Sequence, residues 1–151
     1  MDHMQIIRLL LADDDADDRE FFRQSVVDSG IRAELTAVAD GRQLLDLLSG
    51  GKDTFLPDVI FLDLNMPGMD GKACLREIRN QSQFSAMPVI ILSTSTWMKD
   101  IEETYLGGAN MYISKIVFYT NSVEWVRKLF PHADWRKVLM NPTRDAFAIT
   151  V

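Results

Sequence analysis

Residues 58–68 read Asp58-Val59-Ile60-Phe61-Leu62-Asp63-Leu64-Asn65-Met66-Pro67-Gly68. The apolar run from Val59 to Leu62 has no polar break and ends in a single acid, Asp63. A short apolar run between a proline and a Pro-Gly pair is typical of a strand buried on both faces. Such strands belong to parallel sheets covered by helices, where ligands bind beyond the carboxyl ends of the strands. We therefore expect Asp63 to lie at a functional edge of the sheet.

Outward from this stretch, short apolar runs alternate with segments of helical periodicity. The predicted strands are 6–12, 35–38, 59–63, 89–92 and 110–114, and the predicted helices are about 19–28, 40–48, 70–78, 97–106 and 122–130. This alternation predicts a three-layer, doubly wound (βα)5 α/β fold with a five-stranded parallel sheet and right-handed crossovers. Among doubly wound orders we choose the flavodoxin-like order 2-1-3-4-5. Residues 134–139 are expected to add one helical turn, and residues 141–151 an extended tail.

Composition excludes several classes of protein. The net charge is −6, from 22 acids and 16 bases, and the sequence has no basic cluster, which argues against a nucleic-acid partner. No apolar run approaches the roughly 20 residues that cross a membrane. The single cysteine, Cys74, cannot form an internal disulfide and fits a reducing cytoplasm. We therefore expect a cytoplasmic protein with neither a nucleic-acid nor a membrane partner.

Polar side chains end four of the five predicted strands, and a parallel sheet brings these ends to one edge. Asp13 and Asp14 follow the first strand, Asp63 the third, Ser93 the fourth and Lys115 the fifth. Crowded carboxylates repel each other unless a cation neutralises them, and Mg²⁺ prefers oxygen ligands. A carboxylate beside Mg²⁺ can attack phosphorus and form an aspartyl phosphate. In that chemistry the cation and Lys115 would bind the phosphoryl oxygens, and the Ser93 hydroxyl would donate to one of them.

Each of these features also has a purely structural explanation. The acids at 13–18 suit the positive end of a helix, Asp63 suits a turn, and Ser93 suits a helix cap. Four independent coincidences at four strand ends are less economical than one site. The joint pattern therefore favours the phosphoryl-transfer interpretation.

At this point the chain resembles the receiver domain of two-component response regulators, over about residues 5–130. The matching pieces are Leu-Ala-Asp-Asp-Asp at 11–15, Pro-Asp-Val-Ile-Phe-Leu-Asp-Leu-Asn-Met-Pro-Gly-Met-Asp-Gly at 57–71, Met-Pro-Val-Ile-Ile-Leu-Ser at 87–93, and Gly-Ala-Asn-Met-Tyr-Ile-Ser-Lys at 108–115. Any one piece is unspecific, but all four in this order and spacing are specific. The resemblance implies one receiver domain over 1–151, with a core at about 5–130, a C-terminal extension at 131–151 and no output domain.

The resemblance assigns a role to each residue at the strand ends. Asp63 would be the phosphoacceptor. The acidic pair Asp13 and Asp14, together with Asp63 and the backbone carbonyl of Asn65, would hold Mg²⁺ or Mn²⁺. Lys115 would bind the phosphoryl group.

Further residues are implied to respond to phosphorylation. Ser93 takes the place of the switch hydroxyl, and Tyr112 matches the aromatic residue that rotates with it. Asn65 and Ser95 fall at positions that tune the lifetime of the phosphoryl group. The expected output surface consists of the fourth helix, the fifth strand and the fifth helix.

Two positions depart from the family pattern. Ile116 replaces the proline that usually follows the lysine, often through a cis bond. A cis bond to a non-proline residue costs about 2.5–4 kcal/mol, so we predict a trans bond and a reshaped loop at 116–119. Thr94 replaces a smaller apolar residue and would restrict access to the site.

The sequence thus predicts a phosphoacceptor response regulator and not a conventional enzyme. A histidine kinase or histidine phosphotransfer protein would donate the phosphoryl group, and an unidentified downstream protein would recognise the result. One alternative is a pseudo-receiver that binds partners without phosphorylation. A second is a phosphohydrolase with Asp63 as nucleophile, although Asn65 stands where such enzymes have a second acid.

Overall fold

The computed structural model describes residues 5–50, 56–131, 135–139 and 143–151. At its centre lies a parallel sheet covered by helices on both faces. The strands within the described residues are β1 (Ile7–Ala12), β2 (Ala33–Val38), β3 (Val59–Leu62), β4 (Val89–Ser93), β5 (Met111–Ser114) and β6 (Ala148–Ile149). The helices are α1 (Ala16–Ser29), α2 (Gly41–Leu48), α3 (Gly71–Asn80), α4 (Met98–Leu106), α5 (Lys115–Thr120), α6 (Ser122–Leu129), α7 (Trp135–Leu139) and α8 (Arg144–Phe147).

The strand order is β2-β1-β3-β4-β5-β6. The predicted order of the first five strands is confirmed, whereas the predicted number of five strands is wrong. The sixth strand comes from the tail and pairs in parallel with β5, with Tyr112 opposite Ala148 and Ile113 opposite Ile149. With only two residues, β6 is too short to show a strand periodicity in sequence.

Strand β3 is buried on both faces, as its apolar run predicts. All four of its residues are fully inaccessible to solvent. On one side they pack with α2, α3 and α4, and on the other with α1, α5 and α6. Asp63 therefore follows a strand whose position is fixed by two separate layers of the core.

Short polar side chains and a glycine set the helix ends. Asp15, Asp40 and Asp70 cap the N-termini of α1, α2 and α3 by accepting hydrogen bonds from backbone N–H groups of the first turn. Gly30 ends α1 with a φ of 75°, a conformation that favours glycine. The cap predicted at Asp40 and the stop predicted at Gly30 are both confirmed.

The C-terminal region differs from its prediction. Of the predicted turn at 134–139, residues 135–139 form α7, while residue 134 lies outside the described residues. Of the predicted extended tail, residues 141 and 142 also lie outside them. The rest of the tail is not simply extended, because α8 precedes β6. Among the described residues, no helix is long and apolar enough to cross a membrane.

Candidate functional site

Three carboxylates meet at the carboxyl edge of the sheet. Asp13 follows β1 and Asp63 follows β3, and these strands are neighbours with Ala12 opposite Leu62. Oxygen atoms of Asp13, Asp14 and Asp63 all lie within 4.8 Å of one another. The convergence predicted from strand ends is therefore present for these three acids.

Asp13 and Asp63 are buried, whereas Asp14 is exposed. Burial, with a smaller effect of the Asp13 charge, raises the pKa of Asp63 to about 6, although Lys115 opposes both effects. Burial likewise raises the pKa of Asp13, against hydrogen bonds from Lys115 and Asp15. The two carboxylates thus carry negative charge that is costly at this position. A site of this kind favours a bound cation.

The acids have the donor chemistry that a hard divalent cation requires. Carboxylate oxygens are the ligands that Mg²⁺ prefers. The Oδ2 atom of Asp13 is fully buried, and its 2.9 Å ion pair with the Lys115 Nζ uses one of its two lone pairs. It therefore retains a lone pair for a metal. The residues present fit Mg²⁺ or Mn²⁺ held by Asp13, Asp14 and Asp63.

Lys115 reaches the same edge from the first residue of α5. Its side chain is 9% exposed, and its Nζ lies 2.9 Å from Asp13 Oδ2 and 3.2 Å from Asp63 Oδ2. Burial lowers the pKa of this ammonium, but hydrogen bonds to Asp18 and Asp13 and the charge of Asp63 outweigh that effect and raise it overall. Lys115 is therefore a permanent positive charge beside Asp63.

Helix α5 explains how Lys115 is placed without the usual proline. Ser114 caps this helix, since its Oγ accepts from the Val117 N–H at 3.2 Å. No cis peptide bond occurs among the described residues, so the predicted trans bond at Ile116 is confirmed, whereas the predicted loop at 116–119 is wrong because these residues belong to helix α5. Ile116 itself is 74% exposed and points away from the core. The departure from the family pattern does not displace the ammonium.

The loop after β3 is held close to Asp63. The Asn65 N–H donates to Asp63 Oδ1 at 3.4 Å, and the Gly71 N–H donates to the Leu64 carbonyl at 2.9 Å. A Cβ atom on Gly71 would lie 2.2 Å from the Asp63 carbonyl oxygen, so only glycine fits there. The Asn65 side chain is exposed.

Ser93 and Tyr112 belong to a second group of contacts beside the acids. Ser93 is buried at the end of β4, and its Oγ accepts from the Ser95 N–H at 3.2 Å. Tyr112 is fully buried, and its hydroxyl donates to the Ser95 carbonyl at 2.8 Å. The Ser95 hydroxyl in turn donates to Asp100 on α4. Ser95 thus connects the strand-end hydroxyl, the buried tyrosine and α4, whereas Thr94 is exposed.

The tail covers part of the surface that we expected to carry output. Phe147 is fully buried and packs against Tyr105 and Tyr112, with ring centroids 5.2 and 6.3 Å away. Strand β6 occupies the outer edge of β5. The exposed surface here therefore combines α4 with the tail, instead of α4 with a free β5 edge.

Sequence reasoning did not single out two residues that contact this site. Asp18 lies 2.9 Å from Lys115 Nζ, and the Tyr119 hydroxyl donates to the Asp18 carbonyl at 3.2 Å. Asp18 is one of five acids between residues 13 and 18, which gives it no distinguishing pattern. Tyr119 lies in α5, a helix that the sequence did not predict.

The comparisons with known proteins agree with this geometry. A family model for the response regulator receiver domain matches residues 9–124. The chain is 30% identical over 110 residues to the response regulator Rcp1 of Synechocystis sp., covering 71% of this chain and 75% of Rcp1. It is 33% identical over 90 residues to the probable methanogenesis regulatory protein FilR2 of Methanothrix harundinacea, covering 57% of each. The chain spans about half the length of the first curated relatives it matches.

Solved structures show the same fold. The phosphorylated cyanobacterial phytochrome response regulator RcpA matches with a TM-score of 0.76 and 28% identity, covering 84% of this chain and 95% of RcpA. The Mn²⁺-bound form of Rcp1 matches with a TM-score of 0.74 and 26% identity, covering 91% of this chain and 97% of Rcp1. Sequence, fold and the arrangement of acids lead to one conclusion. The chain belongs to the response regulator receiver domain family.

Proposed function

We propose that this chain is a phosphoacceptor of a two-component or phosphorelay system, with Asp63 as the residue that is phosphorylated. The observation that carries this proposal is the buried Asp63 carboxylate between two further acids and the Lys115 ammonium. Phosphoryl transfer needs chiefly positioning and charge neutralisation, and both are available at this edge. Residues 1–151, with a core at about 5–130, would act as one receiver domain in the cytoplasm.

In the proposed reaction, an Asp63 oxygen attacks the phosphorus of a phosphohistidine on a kinase or phosphotransfer protein. An O–P bond forms, the N–P bond breaks, and the imidazole leaves with its electron pair. Mg²⁺ or Mn²⁺, held by Asp13, Asp14, Asp63 and the Asn65 carbonyl, would supply charge neutralisation. Lys115 would pair with a phosphoryl oxygen, and Ser93 would donate a hydrogen bond to another. The phosphorylated form of RcpA and the Mn²⁺-bound form of Rcp1 support this assignment.

Ser95 would transmit the effect of phosphorylation from Ser93 to α4. If Ser93 turns toward a phosphoryl oxygen, its acceptor contact with the Ser95 N–H is lost. Ser95 also holds the Tyr112 hydroxyl and Asp100, so this change would alter α4 and the tail above Tyr112. We propose that a downstream protein recognises this surface, and that Ser95 and Asn65 tune how long the phosphoryl group persists.

The alternatives predict different behaviour. A pseudo-receiver would not need a cation, and Ile116, which motivated that interpretation, leaves Lys115 in contact with Asp63. A phosphohydrolase would turn over a phosphate ester, yet Asn65 stands where a second acid is expected. A receiver that holds its phosphoryl group as an aspartyl phosphate is therefore favoured over both alternatives.

The test is intact mass after incubation with acetyl phosphate, with and without Mg²⁺. One added phosphoryl group that requires Mg²⁺ is expected on the natural protein and absent from Asp63→Asn. Asp17→Asn is the matched control, since Asp17 is an exposed acid of the first α1 turn, and it should retain labelling. Labelling that persists in Asp63→Asn would contradict the site assignment.

A further inference from the structure

The Lys115 ammonium contacts a third carboxylate that no part of the proposed reaction uses. Its Nζ lies 2.9 Å from Asp18 Oδ2, which equals its distance from Asp13 Oδ2 and is shorter than the 3.2 Å to Asp63 Oδ2. Asp18 is not among the three acids whose oxygens converge within 4.8 Å. It therefore holds the ammonium from outside the group that would bind a cation.

Backbone contacts fix Asp18 to both helices at this edge. Its N–H donates to the Asp15 side chain at 3.0 Å, within the first turn of α1. Its carbonyl accepts from the Tyr119 hydroxyl of α5, and the Tyr119 ring packs edge-on against Phe21 with centroids 5.0 Å apart. Because α5 begins at Lys115, Asp18 is joined to this helix both through the ammonium and through Tyr119.

An ammonium has three protons to donate, and three carboxylates contact this one. A cation bound to Asp13 and Asp63 takes oxygens that Lys115 contacts here. Asp18 is then the carboxylate left to keep the ammonium beside the site. We propose that Asp18 is the positioning residue for Lys115: it retains the ammonium within reach of a group on Asp63 when a cation takes the Asp13 and Asp63 oxygens.

Removal of Asp18 should therefore weaken cation binding. Without this partner, Lys115 can pair only with Asp13 and Asp63 and competes with the metal for their oxygens. Loss of a group that orients a residue at a metal site typically weakens metal affinity roughly tenfold or more, so we expect about a tenfold higher Kd for Asp18→Asn. A pure loss of charge, tested by Asp17→Asn one residue away, should change the Kd less than about twofold because exposed charges are well screened.

The probe is Mn²⁺ alone, titrated into the full chain and followed by electron paramagnetic resonance. Asp18→Asn should raise the Kd, Asp17→Asn should leave it nearly unchanged, and Asp18→Glu should restore part of the loss because it keeps a carboxylate within reach. Asp18→Ser provides a second removal variant should Asn perturb folding. Equal affinities for Asp18→Asn and Asp17→Asn would overturn the proposal, and so would tighter binding by Asp18→Asn.

A second measurement does not depend on the proposed phosphorylation. The ammonium resonances of the lysines, recorded by nitrogen-15 correlation spectroscopy, should show a slowly exchanging Lys115 signal that is absent from Lys115→Gln. That signal should shift in Asp18→Asn and stay unchanged in Asp17→Asn. A natural protein that binds no Mn²⁺ would overturn the proposed function, while an unshifted signal in Asp18→Asn would overturn the role of Asp18.

Discussion

Asp63 is the residue at which stability and the proposed chemistry conflict. Its carboxylate is only 4% exposed, yet the proposed reaction needs it ionised. Its pKa rises to about 6 in the fold, chiefly through burial. The pKa of Asp63 is higher in the folded than in the unfolded protein. The contribution of Asp63 to the free energy of unfolding is therefore fully present below about pH 4 and is lost as the pH rises through 6.

Asp63→Asn should therefore stabilise the protein at pH 8 without divalent cations. The neutral amide avoids the cost of the buried charge, and the free energy of unfolding should rise by about 3 kcal/mol, which corresponds to the rise of the Asp63 pKa from 3.8 to about 6. The gain should shrink toward zero near pH 4, where the natural carboxyl is protonated. Urea unfolding at both pH values is the measurement, with Asp17→Asn as a control near zero. An Asn variant that is less stable than the natural protein at pH 8 would contradict this account.

Gly71 is expected to be required for the geometry of the Asp63 loop. A Cβ on Gly71 would lie 2.2 Å from the Asp63 carbonyl and 2.7 Å from the Leu64 Cα, both backbone atoms that cannot move alone. Gly71→Ala should cost about 1–3 kcal/mol despite the better helix propensity of alanine. Denaturant unfolding measures this.

Gly41→Ala is the matched comparison, because Gly41 also opens a helix. Its Cβ would come no closer than 3.2 Å to a neighbour, the Met69 carbonyl, so the loss should be smaller. Equal losses of stability in Gly71→Ala and Gly41→Ala would show that close approach to the Asp63 backbone is not the cause.

At the residue scale, sequence could place the acids and Lys115 because each follows a strand. The end of a parallel strand specifies a position in space, so Asp13, Asp63 and Lys115 could be expected together. Asp18 lies within a helix, where no such rule links it to β5. Its contact depends on the course of α5, and that course depends on packing between Tyr119 and Phe21.

At the scale of elements, α5 is the feature that differs most from the sequence-based expectation. It begins at Lys115, so Lys115 has helical backbone angles. A residue before proline is disfavoured in the helical region. The isoleucine at position 116 is thus compatible with this helix, whereas the usual proline would disfavour the helical conformation of Lys115.

Ile116→Pro should therefore displace Lys115 and weaken phosphorylation, whereas Mn²⁺ binding should not weaken, because the displaced ammonium no longer competes for the Asp13 and Asp63 oxygens. We expect a loss of several-fold, since the helical conformation of Lys115 is disfavoured but the side chain is long. Ile116→Ala is the control and should have little effect, because Ile116 is 74% exposed. Manganese titration and labelling by acetyl phosphate measure the two effects. Unchanged labelling of Ile116→Pro would show that α5 does not set the position of the ammonium.

The tail is held on the sheet mainly by Phe147. Among the described residues of the tail, weaker contacts come from the two residues of β6, a surface ion pair between Arg144 and Glu102, and the Arg144 guanidinium over the Tyr105 ring. Phe147→Ala should detach the tail and lower stability by up to about 3–5 kcal/mol, whereas Arg144→Ala should cost less than about 1 kcal/mol. Hydrogen exchange should accelerate in β5 and β6 in the first variant only. If β5 and β6 keep their protection against hydrogen exchange in Phe147→Ala, Phe147 does not anchor the tail.

The main elements could be predicted because their apolar runs and helical periodicity are long. Strand β6 could not, since two residues carry no period and its pairing depends on Phe147 finding the space between Tyr105 and Tyr112. Three-dimensional packing, and not local pattern, decides both the sixth strand and the short helix α5.

At the scale of the whole molecule, two apolar layers meet at a sheet whose one edge concentrates negative charge. The chain carries a net charge of −6, and three of its acids share this edge. Folding without a cation therefore brings like charges together, and a bound cation relieves that cost. The stability of the entire fold should then depend on the cation concentration, even though the metal contacts only a few residues.

Mg²⁺ should raise the melting temperature of the natural protein in proportion to the logarithm of its concentration. A ligand that binds only the folded state at 100 times its Kd adds about 2.7 kcal/mol, and for a chain of this size each kcal/mol corresponds to roughly 2–4 °C. We therefore expect a shift of roughly 5–11 °C at saturating Mg²⁺. Differential scanning calorimetry at fixed ionic strength measures it, with Na⁺ replacing Mg²⁺ in the reference.

The shift should fall sharply in Asp14→Asn and Asp63→Asn, which each lose an oxygen ligand, and persist in Asp17→Asn. Asp63→Asn should start from a higher melting temperature and gain little from Mg²⁺, because the same buried charge both destabilises the free protein and binds the cation. If Asp63→Asn has the higher melting temperature and still gains the full Mg²⁺-dependent shift, the charge that destabilises the free protein is not the one that binds the cation. In that case the cation would be bound elsewhere, and the buried acids would not be its site.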